Sequence, residues 1–175
     1  MIKRIISTIL LSLAVTSPAL ADQNHLNLLE HASNTGLNVF VNDPYCDQTG
    51  ADGMFSANDK GHALLICQDN KIPGSTTIQE WTANDLDTIR HEMIHVVQNC
   101  ASGSILDRTS NPLFTDYVEL VDEFGPADTL RVWSTYMSNG VTNSNTLRLE
   151  IEAFYIAREF TAQHVANLYE EFCVQ

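Results

Sequence analysis

The segment from Thr82 to Gly103 carries the strongest constraint on how this chain folds. Its apolar residues recur at the spacing of one helix face: Leu86, Ile89, Met93, Val96 and Val97. This pattern predicts a helix that packs against a hydrophobic core. Thr82 is suited to cap its N-terminus, with Asp85 at the third helical position as in a variant of the capping box. We therefore predict one long and largely buried helix here.

This helix contains three polar residues in the order H-E-x-x-H, namely His91, Glu92 and His95. Residues four apart share one helix face, so the two histidines can bring their imidazole nitrogens to one metal ion. Glu92 lies about 100° around the helix from His91, where its carboxylate can take a proton from a metal-activated water. The alternative is an amphipathic helix with exposed or satisfied core histidines. We favour a zinc site, because buried histidines and a buried glutamate need partners.

A catalytic zinc site usually has three protein ligands and an open fourth position. A ligand directly after the motif is excluded, because Gln98 and Ala101 stand where H-E-x-x-H-x-x-G-x-x-H requires glycine and histidine. The apolar segment 147–159 instead contains Glu150 and Glu152. These lie about 160° apart on a helix, so both cannot easily face one ion, and we expect at least one to be solvated. The residues leave both as candidate ligands.

The remaining sequence predicts one α+β domain, with a small antiparallel or mixed sheet packed on the HExxH helix and a mainly helical C-terminal half. The apolar run at 61–68 predicts a central or doubly covered strand. The other predicted strands are 37–41, a short strand at Met54 and Phe55 within an irregular hairpin at 45–60, and an edge strand at 76–80. The other predicted helices are 22–35, 112–124, 127–138 and 145–172, the last with a bend near Phe160.

The N-terminus has the pattern of a signal peptide. Lys3 and Arg4 precede an apolar run at 5–15, and Ala19-x-Ala21 fits a signal-peptidase site. We predict removal of residues 1–21, which leaves a single domain over 22–175. The run is too short for a comfortable membrane span, so we expect a secreted or periplasmic protein without stable membrane insertion.

The charge of the chain disfavours two classes of partner. It has nine Lys and Arg residues against 22 Asp and Glu residues. Two of the basic residues lie in the predicted signal peptide, so the mature domain has a formal charge of −15 with histidine neutral. Such a surface repels nucleic acid and anionic membranes, and its main effect is solubility.

Four cysteines, Cys46, Cys67, Cys100 and Cys173, lie in the predicted mature domain. An even number in an exported chain predicts two disulfides. Of the three pairings we favour Cys46–Cys67, which ties the arms of the predicted hairpin, and Cys100–Cys173, which joins the end of the HExxH helix to the C-terminus. Zinc binding by cysteine is the weaker interpretation, because no C-x-x-C spacing is present.

H-E-x-x-H followed some tens of residues later by E-x-E-A resembles the gluzincins, the thermolysin-like zinc peptidases, and is closest to their small, minimal members. The chain also resembles small exported proteins with R-H-E-x-x-H-V-V-Q and L-E-x-E-A-F. The resemblance covers two helices, a minority of the chain. It implies a zincin-like fold, one zinc ion and a peptide or protein substrate, with His91 and His95 as ligands and Glu92 as general base and acid.

The resemblance also implies a third ligand three residues before a helix alanine. That position is Glu150, with Ala153 as the alanine, and Glu152 stays as the alternative. Many such families place Asp or Asn after the alanine to orient a ligand histidine, whereas this chain has Phe154.

Gluzincins further imply a downstream side chain that stabilises the oxyanion. Tyr155 is the first candidate for this role, and Tyr136 and His164 are further candidates. An edge strand ahead of the active helix binds the peptide in this fold, and segments 61–68 and 76–80 are the candidates for it.

The predicted function is therefore a secreted or periplasmic zinc-dependent peptidase. The first alternative is a non-catalytic exported domain that binds a metal or another protein on the same scaffold. The second is a disulfide-linked helical domain without metal.

Overall fold

The computed structural model describes residues 18–58, 61–103 and 109–174. Its elements are α1 (Pro18–Asn34), β1 (Asn38–Val41), α2 (Cys46–Thr49), β2 (Gly53–Asn58), β3 (Gly61–Ile66), α3 (Ala83–Cys100), α4 (Tyr117–Phe124), α5 (Pro126–Ser138), α6 (Ser144–Glu159) and α7 (Ala162–Cys173). The predicted α+β class is confirmed. Residues 1–17, which make up most of the predicted signal peptide, lie outside the described residues.

The three strands form one mixed sheet in the order β1-β3-β2. β1 runs parallel to β3, with Asn38 opposite Ala63, and β2 runs antiparallel to β3, with Gly53 opposite Ile66. β3 is thus the central strand, as its apolar run predicted. β2 is an edge strand of six residues, longer than the short strand expected at Met54 and Phe55.

The predicted edge strand at 76–80 is wrong, because this segment has no regular secondary structure. Its backbone is bound by side chains at the ends of β1 and β3. Asn42 Nδ2 donates to the Thr77 carbonyl at 3.0 Å, and the Gln68 side chain both donates to the Gln79 carbonyl and accepts from its N–H, at 3.1 and 2.7 Å. These amide side chains satisfy polar backbone groups that a strand would pair within a sheet.

α3 follows its prediction closely. Asp85 N donates to Thr82 Oγ1 at 3.1 Å, and Thr82 N donates to Asp85 Oδ2 at 2.8 Å, so the capping box is confirmed. The helix packs against β2, β3, α1, α6 and α7. Its fully buried apolar side chains are Ile89, Met93, Ile94, Val96 and Val97. α3 therefore occupies the centre of the core.

Two helical predictions change in extent. α4 begins at Tyr117 rather than at 112, because the Asp116 carboxylate accepts from the Val118 N–H at 2.8 Å and caps the helix there. The predicted helix 145–172 is two helices, α6 and α7. Phe160 between them is extended, with φ −112° and ψ 146°, and Thr161 caps α7. The expected bend is thus a complete break.

Both favoured disulfides are confirmed, Cys46–Cys67 and Cys100–Cys173. The first joins α2 to the residue after β3, and the second joins the ends of α3 and α7. Such bonds form and persist in oxidising compartments, which is compatible with export. Among the described residues, none of the helices combines the length and the apolar character needed to cross a membrane.

Candidate metal centre and active site

Three side chains from α3 and α6 bring their ligand atoms together. His91 Nε2 lies 3.1 Å from His95 Nε2. Glu150 Oε2 lies 3.3 Å from each of these nitrogens. The two histidines are neighbours because they are one turn apart on α3. Glu150 lies on α6, some 50 positions later in the sequence. Together the three side chains form a group that can hold a metal ion.

The spacing of these atoms fits a tetrahedral zinc site. Zinc binds histidine nitrogen and carboxylate oxygen at about 2.0–2.2 Å, so its ligand atoms lie about 3.3–3.5 Å apart. The observed separations are 3.1, 3.3 and 3.3 Å. Glu150 Oε2 is also buried without a hydrogen-bond partner, which is uncommon for a carboxylate oxygen. A cation between the three atoms would satisfy it.

Glu150 and the histidines also shift each other's proton affinity. Burial alone would lower the pKa of His95, but the neighbouring Glu150 carboxylate, with Glu92 and Gln98, raises the pKa to about 9. Burial alone would raise the pKa of Glu150, but the His91 and His95 rings hold that pKa well below its usual range. Both shifts show that the cluster stabilises positive charge beside Glu150.

Glu152 lies apart from this cluster. Its carboxylate is fully buried and accepts from the backbone N–H groups of Leu113 and Phe114 at 2.9 and 2.6 Å and from Gln98 Nε2 at 2.7 Å. Burial raises the pKa of Glu152, and these three donors lower it. Neither candidate glutamate occupies an exposed helix position, since Glu152 is fully buried and the Glu150 side chain is 16% exposed, so the expectation of a solvated glutamate is wrong.

Gln98 connects Glu152 to His95. Its Oε1 lies 2.8 Å from His95 Nδ1, and its Nε2 donates to the Leu149 carbonyl at 3.0 Å as well as to Glu152. Among the described residues, His91 has no equivalent contact. Its Nδ1 is buried without a hydrogen-bond partner, and its ring lies against Phe154, with 4.4 Å between ring centres.

Glu92 lies between the cluster and β2. A Cβ on Gly53 would lie 2.7 Å from Glu92 Cγ and 2.6 Å from Thr88 Cγ2, so glycine permits the close approach of strand and helix. The Phe55 backbone N–H lies close enough to the Glu92 carboxylate to lower its pKa slightly. Burial raises the pKa of Glu92, and the two cluster histidines lower it. A carboxyl whose pKa is raised holds a proton more readily than an ordinary glutamate and is suited to proton transfer.

A cavity of about 410 Å³ opens beside His91 and Glu92. Phe124, Phe154 and Ala157 form its apolar wall. Arg131 and Arg158 also line it, and both are ion-paired with Asp128, at 3.2 and 2.5 Å. The cavity therefore offers an apolar surface next to the proposed metal ligands.

Of the three oxyanion candidates, Tyr136 is the one that the structure brings to this cavity. Burial, together with the charge of the nearby Glu150 carboxylate, raises the pKa of Tyr136. Tyr155 points its hydroxyl at Glu123 Oε2 instead, at 3.5 Å. His164 Nδ1 lies 2.9 Å from Thr161 Oγ1 on α7.

Sequence reasoning missed the contacts of Gln98 and Gly53. Gln98 stands three residues after His95 on a helix that is otherwise apolar on its buried faces, and that spacing was the available signal. Gly53 offered none, because its role depends on the distance between a strand and a helix.

Comparison of the chain with protein-family models, with curated proteins and with solved structures finds no match in any of the three.

Proposed function

We propose that this protein is an exported zinc-dependent peptidase of gluzincin type, in which His91, His95 and Glu150 hold the metal and Glu92 is the general base and acid. The observation that carries the proposal is the convergence of three ligand atoms at 3.1–3.3 Å. The buried Glu92 carboxylate and an open cavity lie beside them. When bound, zinc would polarise the scissile carbonyl and lower the pKa of a water molecule.

Glu92 performs the proton transfers in this mechanism. Its carboxylate accepts a proton from the attacking water and then delivers it to the leaving amine. Its side chain packs closely against Gly53 of β2. Tyr136 lines the cavity beside the cluster, and its hydroxyl can donate a hydrogen bond to the developing oxyanion.

β2 is the strand that we propose for peptide binding. It is an edge strand, and its residues Gly53 and Phe55 contact Glu92. An extended peptide can add to such an edge through main-chain hydrogen bonds. The two segments expected for this role from the sequence are unsuited, because β3 is paired on both sides and 76–80 is not a strand.

A metal site without catalysis is the second candidate. It is favoured by the lining of the cavity, which includes His91 but neither His95 nor Glu150 among the described residues. In that case zinc stabilises the contact between α3 and α6, and the Glu92 carboxylate has no chemical role.

Elemental analysis and peptide cleavage on the same samples separate these candidates. We compare the wild type, Glu92→Gln and the control Glu119→Gln, which alters an exposed glutamate on α4. We expect about one zinc ion per chain in all three. We expect cleavage of a peptide library by the wild type and the control, and a rate about 10²–10⁴-fold lower in Glu92→Gln.

Two results overturn the peptidase proposal. The first is a folded wild type that binds no zinc after reconstitution. The second is equal cleavage, or no cleavage, by zinc-loaded wild type and Glu92→Gln. Zinc binding without cleavage, combined with a lower melting temperature after zinc removal, would establish the structural site instead.

A further inference from the structure

We propose that Gln98 and Glu152 are positioning residues of the metal site. Glu152 sets the direction of the Gln98 amide, and Gln98 holds the His95 ring so that Nε2 presents its lone pair to the metal. The inference rests on the proposed function, because it takes His95 to be a ligand. It assigns to a glutamine on the HExxH helix the role that an Asp or Asn after Ala153 would otherwise have.

The direction of the Gln98 amide follows from its neighbours. The amide is fully buried, and one end lies 3.0 Å from the Leu149 carbonyl and 2.7 Å from Glu152 Oε2. A carbonyl and an ionised carboxylate only accept hydrogen bonds. The NH₂ group must therefore face Leu149 and Glu152, which leaves the oxygen of the amide toward His95.

Glu152 is itself held from the other side. The backbone N–H groups of Leu113 and Phe114 donate to its two oxygens at 2.9 and 2.6 Å. Three N–H donors thus converge on one carboxylate, and its oxygens serve as acceptors. This arrangement ties the segment before α4 to α6 and leaves the Gln98 amide a single favourable orientation.

The orientation of the Gln98 amide determines which nitrogen of His95 can bind the metal. With Gln98 Oε1 as the acceptor 2.8 Å away, His95 donates from Nδ1, so Nε2 carries a lone pair when the ring is neutral. That nitrogen lies 3.1 Å from His91 Nε2 and 3.3 Å from Glu150 Oε2. Hydrogen bonds of this kind orient metal ligands and raise their basicity.

Zinc affinity tests the proposal without reference to catalysis. Chelator competition gives the zinc dissociation constant of the wild type, Gln98→Met, Glu152→Gln and the double variant. Val97→Ala is the control, because Val97 is also fully buried on α3 and its truncation lowers stability without touching the network. We expect Gln98→Met to bind zinc about 10–100-fold more weakly and the control to bind as the wild type does.

The double variant tests whether Glu152 acts through Gln98. If it does, Glu152→Gln weakens zinc binding in the wild-type background and adds no further loss in the Gln98→Met background. Losses that multiply in the double variant would overturn this part of the proposal, as would unchanged affinity in a folded Gln98→Met protein. A wild type that binds no zinc would instead overturn the proposed function.

If a variant does not fold, a measurement on the wild type can still test the proposal. Long-range ¹H–¹⁵N correlation spectra of the zinc-loaded protein report which nitrogen of His95 carries the proton. We expect the proton on Nδ1, protected from exchange by Gln98. A proton on Nε2, or rapid exchange of the Nδ1 proton, would overturn the proposal.

Discussion

The His95 side and the His91 side of the cluster are built in different ways. On the His95 side, Gln98 and Glu152 are fully buried and joined by hydrogen bonds to the backbone. On the His91 side, Nδ1 has no hydrogen-bond partner in the part of the chain that the structure describes, and the ring lies against Phe154, which is 39% exposed and lines the cavity.

In the proposed catalytic centre, this difference separates two requirements. A ligand keeps its orientation through short hydrogen bonds to groups that are themselves immobilised, and such groups fill the space around it. A substrate needs space and accessible surface. The His95 side meets the first requirement and the His91 side meets the second, so substitutions on the two sides should affect different measurements.

The largest expected effect is a loss of stability on the His95 side. Glu152→Ala leaves three N–H donors without this acceptor, one of them fully buried and two part-buried, and each unsatisfied donor costs about 1–3 kcal/mol. We expect the free energy of unfolding to fall by about 3–5 kcal/mol, as measured by denaturant titration of metal-free protein. Glu159→Ala at the exposed end of α6 is the control and should change it by at most about 1 kcal/mol. Equal losses in the two variants would show that the Glu152 network is no more important to stability than an exposed glutamate.

The next largest effect is expected on the His91 side and concerns the rate of peptide cleavage. Tyr136→Phe removes the hydroxyl that we assign to the oxyanion, and loss of one such donor lowers kcat about 10²–10³-fold. Zinc content should stay at the wild-type level. Tyr155→Phe is the matched control, because that hydroxyl faces Glu123, and it should leave kcat unchanged. A larger loss in Tyr155→Phe than in Tyr136→Phe would reverse the assignment.

A smaller effect is expected where β2 meets α3. Gly53→Ala introduces a Cβ within 2.7 Å of Glu92 Cγ, and overpacking of this kind costs about 1–3 kcal/mol. We expect lower stability together with slower peptide cleavage, because Glu92 has to move. Ser56→Ala on the same strand is the control. Full activity and stability in Gly53→Ala would show that β2 and α3 can separate freely.

The smallest expected effect is a change in stability at an ion pair far from the His91–His95–Glu150 cluster, and it shows what an exposed ion pair contributes. The Lys71 side chain and the Gly74 N–H lower the pKa of Asp47 from 3.8. A lowered carboxyl pKa contributes stability above the unfolded pKa and loses it as the pH falls through the folded pKa. The melting temperature of Asp47→Asn should therefore lie slightly below that of the wild type at pH 7 and converge with it below pH 3.8. A gap that widens on acidification would contradict this sign.

Features predicted correctly from the sequence depend on short stretches of chain. The capping box of α3 involves residues three positions apart, and the pairing of His91 with His95 depends on one helical turn. The central position of β3 followed from a continuous apolar run. The wrong prediction at 76–80 has the opposite character, because Asn42 and Gln68 reach that segment from distant positions in the sequence.

By itself, the sequence determined the α+β class, the buried HExxH helix and its cap, and two histidines on one face. Only the tertiary structure decided that Glu150 rather than Glu152 meets them, that Tyr136 rather than Tyr155 lines the cavity, and that β2 is the edge beside Glu92. Periodicity shows which residues of a helix share a face. Which face meets a distant helix depends on how α5 and α6 are rotated against α3, and packing of the whole core sets that rotation.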